Sequence, residues 1–465
     1  MLPTISKEDE NAYSQCLRQA HESAHRYLES IGDRYVGVKP SAIETMHQLG
    51  GPVPATGEDA HAILSLLDEV GAPATMAIMG RRFFGGVIGG SLPVTIAAHW
   101  IADAWDQNAC LYELSPVAAY IEEVALQWII EILGLPDASG GALVTGTQMA
   151  DVTALVAARH SLLRKAGWDA EADGLFGAPP ITVIVGEEVH ATMLKALALV
   201  GFGRNRVLTV PSDHQGRLIV KAIPKVAGPA IICAQLGNVN SGACDPIDEI
   251  CDTAQEIEAW VHVDGAFGLW AAAAPARKHL LAGLSRADSW ATDGHKWLNT
   301  PQDCGIAIVR DAMALHRAMT ISAAYYGTPG RRDPMQWCPE SSRRARGIEV
   351  WAALRYLGKR GVGEQIEHSC ELAVKFATLL KDGGCEVLND VVLNQVLVAF
   401  KDDDMTQKVI EAVQEEGVCW CGGTIWKNKK AMRISVCSWA TRPEDVEMSA
   451  HSIIATFQRL SAHTH

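Results

Sequence analysis

The chain has 465 residues, 48% of them apolar and 20% charged, which is enough to bury a sizeable core and too apolar for extended disorder. Its net charge of −14 repels phosphate backbones, so nucleic-acid binding is excluded unless a local basic patch overcomes the field. No run approaches the ~18 apolar residues of a membrane span, and the twelve cysteines show no C-x-x-C spacing, which suits a reduced compartment better than a disulfide framework.

The opening M-L-P-T-I-S-K-E-D-E-N is polar and lacks the apolar core of a secretory signal, which predicts a cytoplasmic protein. Tyr13, Leu17, His21 and Leu28 then recur at helical intervals. They predict an amphipathic helix with too little apolar surface to stand alone, clasping another part of the protein or a second subunit. Residues 36–54, rich in Pro and Gly, read as linker, followed by a short helix from Asp59 to Val70 that Gly71 and Pro73 close. A helical N-terminal segment, 1–80, is expected to end there. From Ser91 onward, predicted helices (Ile96 to Ala104, Pro116 to Leu133, Met149 to Lys165) alternate with short apolar strands. The strands are Ile181–Val185, Val207–Val210, Ala230–Ala234, Trp260–Asp264, Ser289–Ala291 and Ile306–Val309. This α/β pattern predicts a large domain over 81–345 with a mostly parallel central sheet, helices on both faces, and ligands beyond the carboxyl ends of the strands. A small α+β domain is expected over 346–465: helices Ile348 to Gly358 and Gly363 to Lys381, then strands Cys385–Leu388, Val396–Phe400, Val418–Trp420 and Met432–Val436.

Three features are read as structural. Cys419 and Cys421 lack a second Cys/His pair at zinc spacing, and His21 and His25 lack the Glu of H-E-x-x-H, so no metal site is expected. Arg331-Arg332 and Arg343-Arg344-Arg346 surround a Pro/Gly-containing loop and read as a solvated or intersubunit face.

The chemistry-bearing pair is Asp264, inside V-H-V-D-G-A-F-G, and Lys296, inside D-G-H-K-W, 32 positions apart (296 − 264). Pyridoxal 5'-phosphate needs a lysine amine for its aldehyde and an acid or arginine at its ring nitrogen. Lys296 supplies the first and Asp264, ending a buried apolar strand, supplies the second. An ion pair at the ring nitrogen makes the cofactor a stronger electron sink. Thr147 and Gln148 in L-V-T-G-T-Q-M open a predicted helix and fit either a phosphate cradle or an N-cap. His190 in G-E-E-V-H-A-T fits either a ring stacked on a flat cofactor or a helix cap. Asn238 in Q-L-G-N-V-N-S-G fits either a hydrogen bond to a ring hydroxyl or a turn. Gly201 and Gly203 lack the third glycine of a dinucleotide fingerprint and read as a helix terminator.

Several of these segments stand together in a known order: S-P-V-A-A-Y-I-E-E-V, V-T-G-T-Q-M-A-D-V, V-H-A-T, G-N-V-N-S-G-A-C-D-P, H-V-D-G-A-F-G, D-G-H-K-W-L-N, S-R-R-A-R-G-I-E-V-W and M-R-I-S-V. From about residue 75 to 440 the chain resembles the group II pyridoxal-phosphate decarboxylases, which act on aromatic amino acids and glutamate. The resemblance implies the fold-type I transferase fold and a homodimer with active sites at the subunit interface. It further implies Lys296 as the Schiff-base lysine, Asp264 on the pyridine nitrogen, His190 stacked on the ring, Ala266 on its other face and His295 beside the phosphate.

Two positions depart from the family. A mobile loop after the lysine carries a tyrosine that reprotonates the α carbon in aromatic decarboxylases, and Pro334 falls near that place here. Tyr325 or Tyr326, upstream in a Gly/Pro-containing loop, is expected to serve as the acid instead. Asp293 is unusual beside a phosphate, where an asparagine or small polar residue costs less electrostatically. By the same resemblance Phe83, Phe84 and Trp337 border the substrate and favour an apolar or aromatic side chain, whereas Arg81, Arg82 or Arg331 would serve a carboxylate. The expected reaction is decarboxylation of an L-amino acid to an amine and CO₂. The alternatives are oxidative aldehyde formation, aldol-type cleavage or transamination on the same fold, and a catalytically silent cofactor-binding protein.

Overall fold

The structure is a computed structural model that describes residues 7–321 and 330–462. Its larger sheet holds seven strands: β1 (Gly140–Val144), β2 (Thr182–Gly186), β3 (Leu208–Val210), β4 (Ala230–Gln235), β5 (Trp260–Asp264), β6 (Ser289–Asp293) and β7 (Gly305–Val309). They run in the order β1-β7-β6-β5-β4-β2-β3, and β7 is antiparallel to both neighbours while the strands from β6 to β3 pair in parallel. Parallel strands covered on both faces read as unbroken apolar runs, and A-I-I-C-A in β4 is one.

Successive side chains in these strands go to opposite faces, which sorts the helices that cover the sheet. Around it are α1 (Lys7–Ser30), α2 (Pro40–Thr45), α3 (Ala60–Leu66), α4 (Pro93–Trp105), α5 (Pro116–Leu133), α6 (Thr147–Lys165), α7 (Ala170–Asp173), α8 (Ala191–Leu199), α9 (Ile247–Glu256) and α10 (Ala312–Met319). Val183, Val185 and Ile231 pack with Leu155 of α6 and Met193 of α8. Ile184, Ile232, Val261 and Val263 face the other way, toward Ile129 of α5 and Ile250 of α9. His262 and Asp264, alternating with those valines, therefore lie on the α6 side.

The smaller unit holds α11 (Gly347–Asp382), α12 (Asp403–Glu416), α13 (Pro443–Ala462) and the strands β8 (Glu386–Val387), β9 (Gln395–Ala399), β10 (Gly422–Trp426) and β11 (Lys429–Ser435), ordered β10-β11-β9-β8 and antiparallel. Phe376, Val409, Ile434 and Ile453 form its core. Phe84, far away in sequence, belongs to the same core and meets Phe376 edge-on at 5.3 Å between ring centroids. The strap around it is tied in by Phe84 N donating to Trp420 O (2.8 Å) and Ser435 N donating to Phe84 O (3.0 Å).

The structure corrects several expectations. Strand β1 was not anticipated, because G-G-A-L-V is short and glycine-rich. Residues 36–54 are not all linker, since α2 and a 3₁₀ turn at Met46–Leu49 lie inside them. The two helices expected after residue 346 abut as one run broken at Gly358, whose φ of 62° is the left-handed conformation glycine tolerates. The strand placed at 418–420 begins instead at Gly422, and Cys419 and Cys421 are buried just before it. Three of the clustered arginines are not a solvated face, although Arg331 is exposed: Arg343 is buried against Glu122, Arg346 pairs with Asp303 at 2.8 Å, and Arg344 pairs with Glu349. Among the described residues no helix is long and apolar enough to cross a membrane, and no group of three or more His, Cys, Asp or Glu is placed to hold a metal.

Candidate active site

The carboxyl ends of β2, β4, β5 and β6 open on a cavity of about 230 Å³ lined by Thr147, Gln148, His190, Asp264, Ala266 and Lys296, with Val87, Gln235, Val239, Phe267, Asp293 and His295. Asp264 is the last residue of β5, 6% exposed, and its Oδ1 accepts from Ala266 N at 3.1 Å. Burial pushes its carboxyl up to about 6, opposed by the nearby Lys296 charge and by the Ala266 N–H. Behind it, His262 Nε2 lies 3.1 Å from Asp151 Oδ1 and His262 Nδ1 lies 2.9 Å from Ser289 Oγ, all fully buried. Burial lowers His262 to about 3, so the ring is neutral, and raises Asp151 well above the carboxylate range.

Lys296 follows β6, and its Nζ sits 3.1 Å from Asp293 Oδ2. The other carboxylate oxygen of Asp293 accepts from Thr147 N at 2.6 Å, at the start of α6. Strand β7 can press against that start because Gly305 has no Cβ; one there would fall 2.2 Å from the Gly146 carbonyl carbon. Thr147 Oγ1 is buried with no hydrogen-bond partner among the described residues. His295 Nδ1 accepts from Cys304 N at 3.0 Å, and its Nε2 lies 3.6 Å from Asp293.

His190 is the N-cap residue of α8, where its Nδ1 accepts from Thr192 N at 3.3 Å. The cap reading is thus met, and the same ring also lines the cavity. Burial, then the charges of Lys296 and Arg433, hold the imidazole below its usual value. A neutral ring with Nδ1 accepting carries its proton on Nε2.

Other expected residues stand elsewhere in this chain. Asn238 makes a turn, its Oδ1 accepting from Asn240 N (2.8 Å) and Ser241 N (3.2 Å), and does not line the cavity. Phe83 stacks on Trp420 at 5.4 Å, and Phe84 is buried in the small core. Trp337 packs under Arg332, 4.4 Å from its guanidinium, and beside His316. Arg82 donates to Gly32 O, and Arg331 lies over Tyr112. Tyr325 and Tyr326 lie outside the described residues. Sequence reasoning missed the Asp151–His262 pair, although Asp151 and His262 both stand in quoted motifs and an acid inside a buried apolar helix face was the available signal. It also missed Arg433, which is mostly buried and donates to Val239 O at 3.4 Å beside the cavity.

A lysine, a buried acid at a strand end and a helix-start cradle around one cavity define a pyridoxal-phosphate enzyme of fold type I. The residues fit the cofactor: Asp264 for the ring nitrogen, Lys296 for the aldehyde, and the unsatisfied Thr147 hydroxyl for a phosphate oxygen. The family model "Pyridoxal-dependent decarboxylase conserved domain" matches residues 45–402, and the chain belongs to that family. Its cofactor is pyridoxal phosphate. Among similar proteins, tryptophan decarboxylase 1 of Oryza sativa subsp. japonica is 28% identical over 93% of this chain and 91% of its own length. The 4-hydroxyphenylacetaldehyde synthase of Rhodiola rosea is 26% identical over 86% of this chain and 85% of its own. The crystal structure of Oryza sativa TDC with PLP and tryptamine superposes with a TM-score of 0.89 at 23% identity, covering 99% of this chain and 100% of that one.

The raised Asp264 carboxyl has a consequence for stability without cofactor. Its folded value, about 6, exceeds the ordinary 3.8, so the folded state holds the proton more tightly and loses stability as pH rises from about 4 through 6. The full penalty is about 3 kcal/mol. Cofactor-free Asp264→Asn is therefore expected to gain on the wild type by that order between about pH 4 and pH 7, read as the difference between denaturant midpoints. Parallel pH profiles would contradict it.

Proposed function

We propose that this chain decarboxylates an L-amino acid with an apolar or aromatic side chain, releasing the amine and CO₂. The convergence of Lys296, Asp264 and His190 on one cavity carries this reading, and the similarity to tryptophan decarboxylase 1 supports the substrate class. Bound here, pyridoxal phosphate supplies the electron sink for the pair left when the bond from Cα to the carboxylate breaks. Lys296 would hold the cofactor's aldehyde through its amine. Asp264, as an anion, holds a proton on the ring nitrogen. His190 would pack its neutral imidazole against the bound ring, and Ala266, with no bulk beyond Cβ, would leave room for it. Arg433 places a half-buried cation beside Val239 for the substrate's carboxylate. A proton then replaces CO₂ at Cα, and Tyr325 is our candidate for its source.

A homodimer fits the surface. Trp100, Ile101 and Trp105 on α4 and Val117 and Tyr120 on α5 are 40–63% exposed, and His21 of α1 lies 6.1 Å from Trp100. All twelve cysteines are free, which suits the cytoplasm.

A second reading, decarboxylation with oxidation by molecular oxygen to an aldehyde, ammonia and peroxide, is favoured by Pro334 near the family's loop tyrosine and by the similarity to 4-hydroxyphenylacetaldehyde synthase. Both readings are tested by incubating the loaded enzyme with each amino acid while measuring CO₂, amine, aldehyde and peroxide. CO₂ with equimolar amine is expected. Aldehyde and peroxide in its place select the second reading, and no CO₂ from any amino acid defeats both.

A further inference from the structure

Asp293 puts an anion where a second anion belongs. It is 2% exposed, at the end of β6, and each of its carboxylate oxygens is engaged at the heart of the cavity. Oδ1 takes the N–H of Thr147, the first residue of the 19-residue α6, and Oδ2 takes the ammonium of Lys296. The adjoining Thr147 hydroxyl, 5% exposed at the residue level, lines the cavity with no partner among the described residues. An unpaired buried hydroxyl beside a free-facing helix start marks a place for an oxygen-rich anion, yet the best backbone donor there is already spent on a carboxylate.

We infer that Asp293 is a built-in competitor of the cofactor's phosphate, holding the helix-start N–H and the Lys296 ammonium until the cofactor displaces it and so weakening the grip on pyridoxal phosphate. The inference rests on the cofactor reading above. A phosphate monoester carries close to two negative charges near neutrality, and at a partly buried site a carboxylate a few ångströms away opposes it strongly. The loading of this chain then tracks the free cofactor concentration over a range in which an enzyme with an amide at this position stays saturated.

Asp293→Asn tests it, because the amide keeps an acceptor oxygen for Thr147 N and removes only the charge. The full-length, cofactor-stripped proteins are dialysed to equilibrium against pyridoxal phosphate and, in parallel, against pyridoxal, which lacks the phosphate. The variant is expected to bind pyridoxal phosphate at least about tenfold more tightly, with pyridoxal affinity changed less than about threefold. Asp293→Ser, which removes the charge without supplying an amide, should show the same order, so the result does not hang on the folding of one variant. Equal gains for both ligands would locate the effect on Lys296 alone and overturn the inference, as would unchanged or weaker binding of pyridoxal phosphate. A wild-type chain that binds no pyridoxal phosphate at all would instead defeat the cofactor reading.

Discussion

Replacing Lys296 with alanine is expected to lower turnover by about 10⁴-fold or more while leaving the protein folded, since the residue we propose as the covalent link to the cofactor is, among the described residues, the one lysine lining the cavity. The packing cost is small. The side chain is 24% exposed and, among the described residues, its ionic contact is Asp293 at 3.1 Å, so what is lost is the amine and not a core residue. Lys296→Arg separates chemistry from charge: it keeps a cation beside Asp293 but cannot link to an aldehyde, and it should be as inactive as the alanine variant. Turnover is measured as CO₂ release at saturating cofactor, alongside the visible absorbance of the bound cofactor, which both variants should lose. Arginine restoring a tenth or more of wild-type turnover would show that Lys296 acts as a charge and would sink the assignment.

The second large effect is at Asp264. Asparagine there is expected to reduce kcat by about 10²- to 10³-fold, because an amide cannot balance a protonated ring nitrogen and the electron sink weakens as charge develops in the transition state. KM should move far less, since the contact strengthens only as the bond breaks. The same substitution that stabilises the cofactor-free chain above pH 6 thus removes most of its activity, an expected trade at a site where a charge is buried for function. A kcat within threefold of wild type would show that the ring nitrogen does not depend on this acid.

The cofactor chemistry was legible in the sequence because its residues sit at strand ends within short motifs, and a strand end is readable from apolar runs alone. Asp264 and Lys296 meet in space since β5 and β6 are adjacent and parallel. Thr147 was read from the hydroxyl and amide residues that open a helix and Ala266 from the resemblance alone, and both line the cavity. The substrate side was not. Phe83 and Trp337 are aromatic, and aromatic residues are as useful to a core as to a pocket; here Phe83 went to Trp420 and Trp337 to Arg332. Asn238 shows how a polar residue after a strand satisfies a turn when backbone N–H groups two and three positions on lie within reach. Arginines 343, 344 and 346 mislead by composition, since only the fold reveals buried Glu122 and Glu349 and half-exposed Asp303 as their partners. Strand β1 escaped because two glycines dilute its pattern and its partner, β7, lies 165 positions on from Gly140 to Gly305 (305 − 140).

The strap at Phe84 sets an order of events during synthesis. Phe84 leaves the ribosome early, but its backbone partner Trp420 follows 336 residues later (420 − 84), and Ser435 later still. At cellular elongation rates that interval is on the order of tens of seconds. Throughout it the ring that will fill the small core has nothing to enter, while the seven-stranded sheet, complete by Val309, is already free to form. The C-terminal unit therefore closes the molecule as well as completing itself, and a chain interrupted before residue 420 would carry an exposed phenylalanine strap of the kind that chaperones retain.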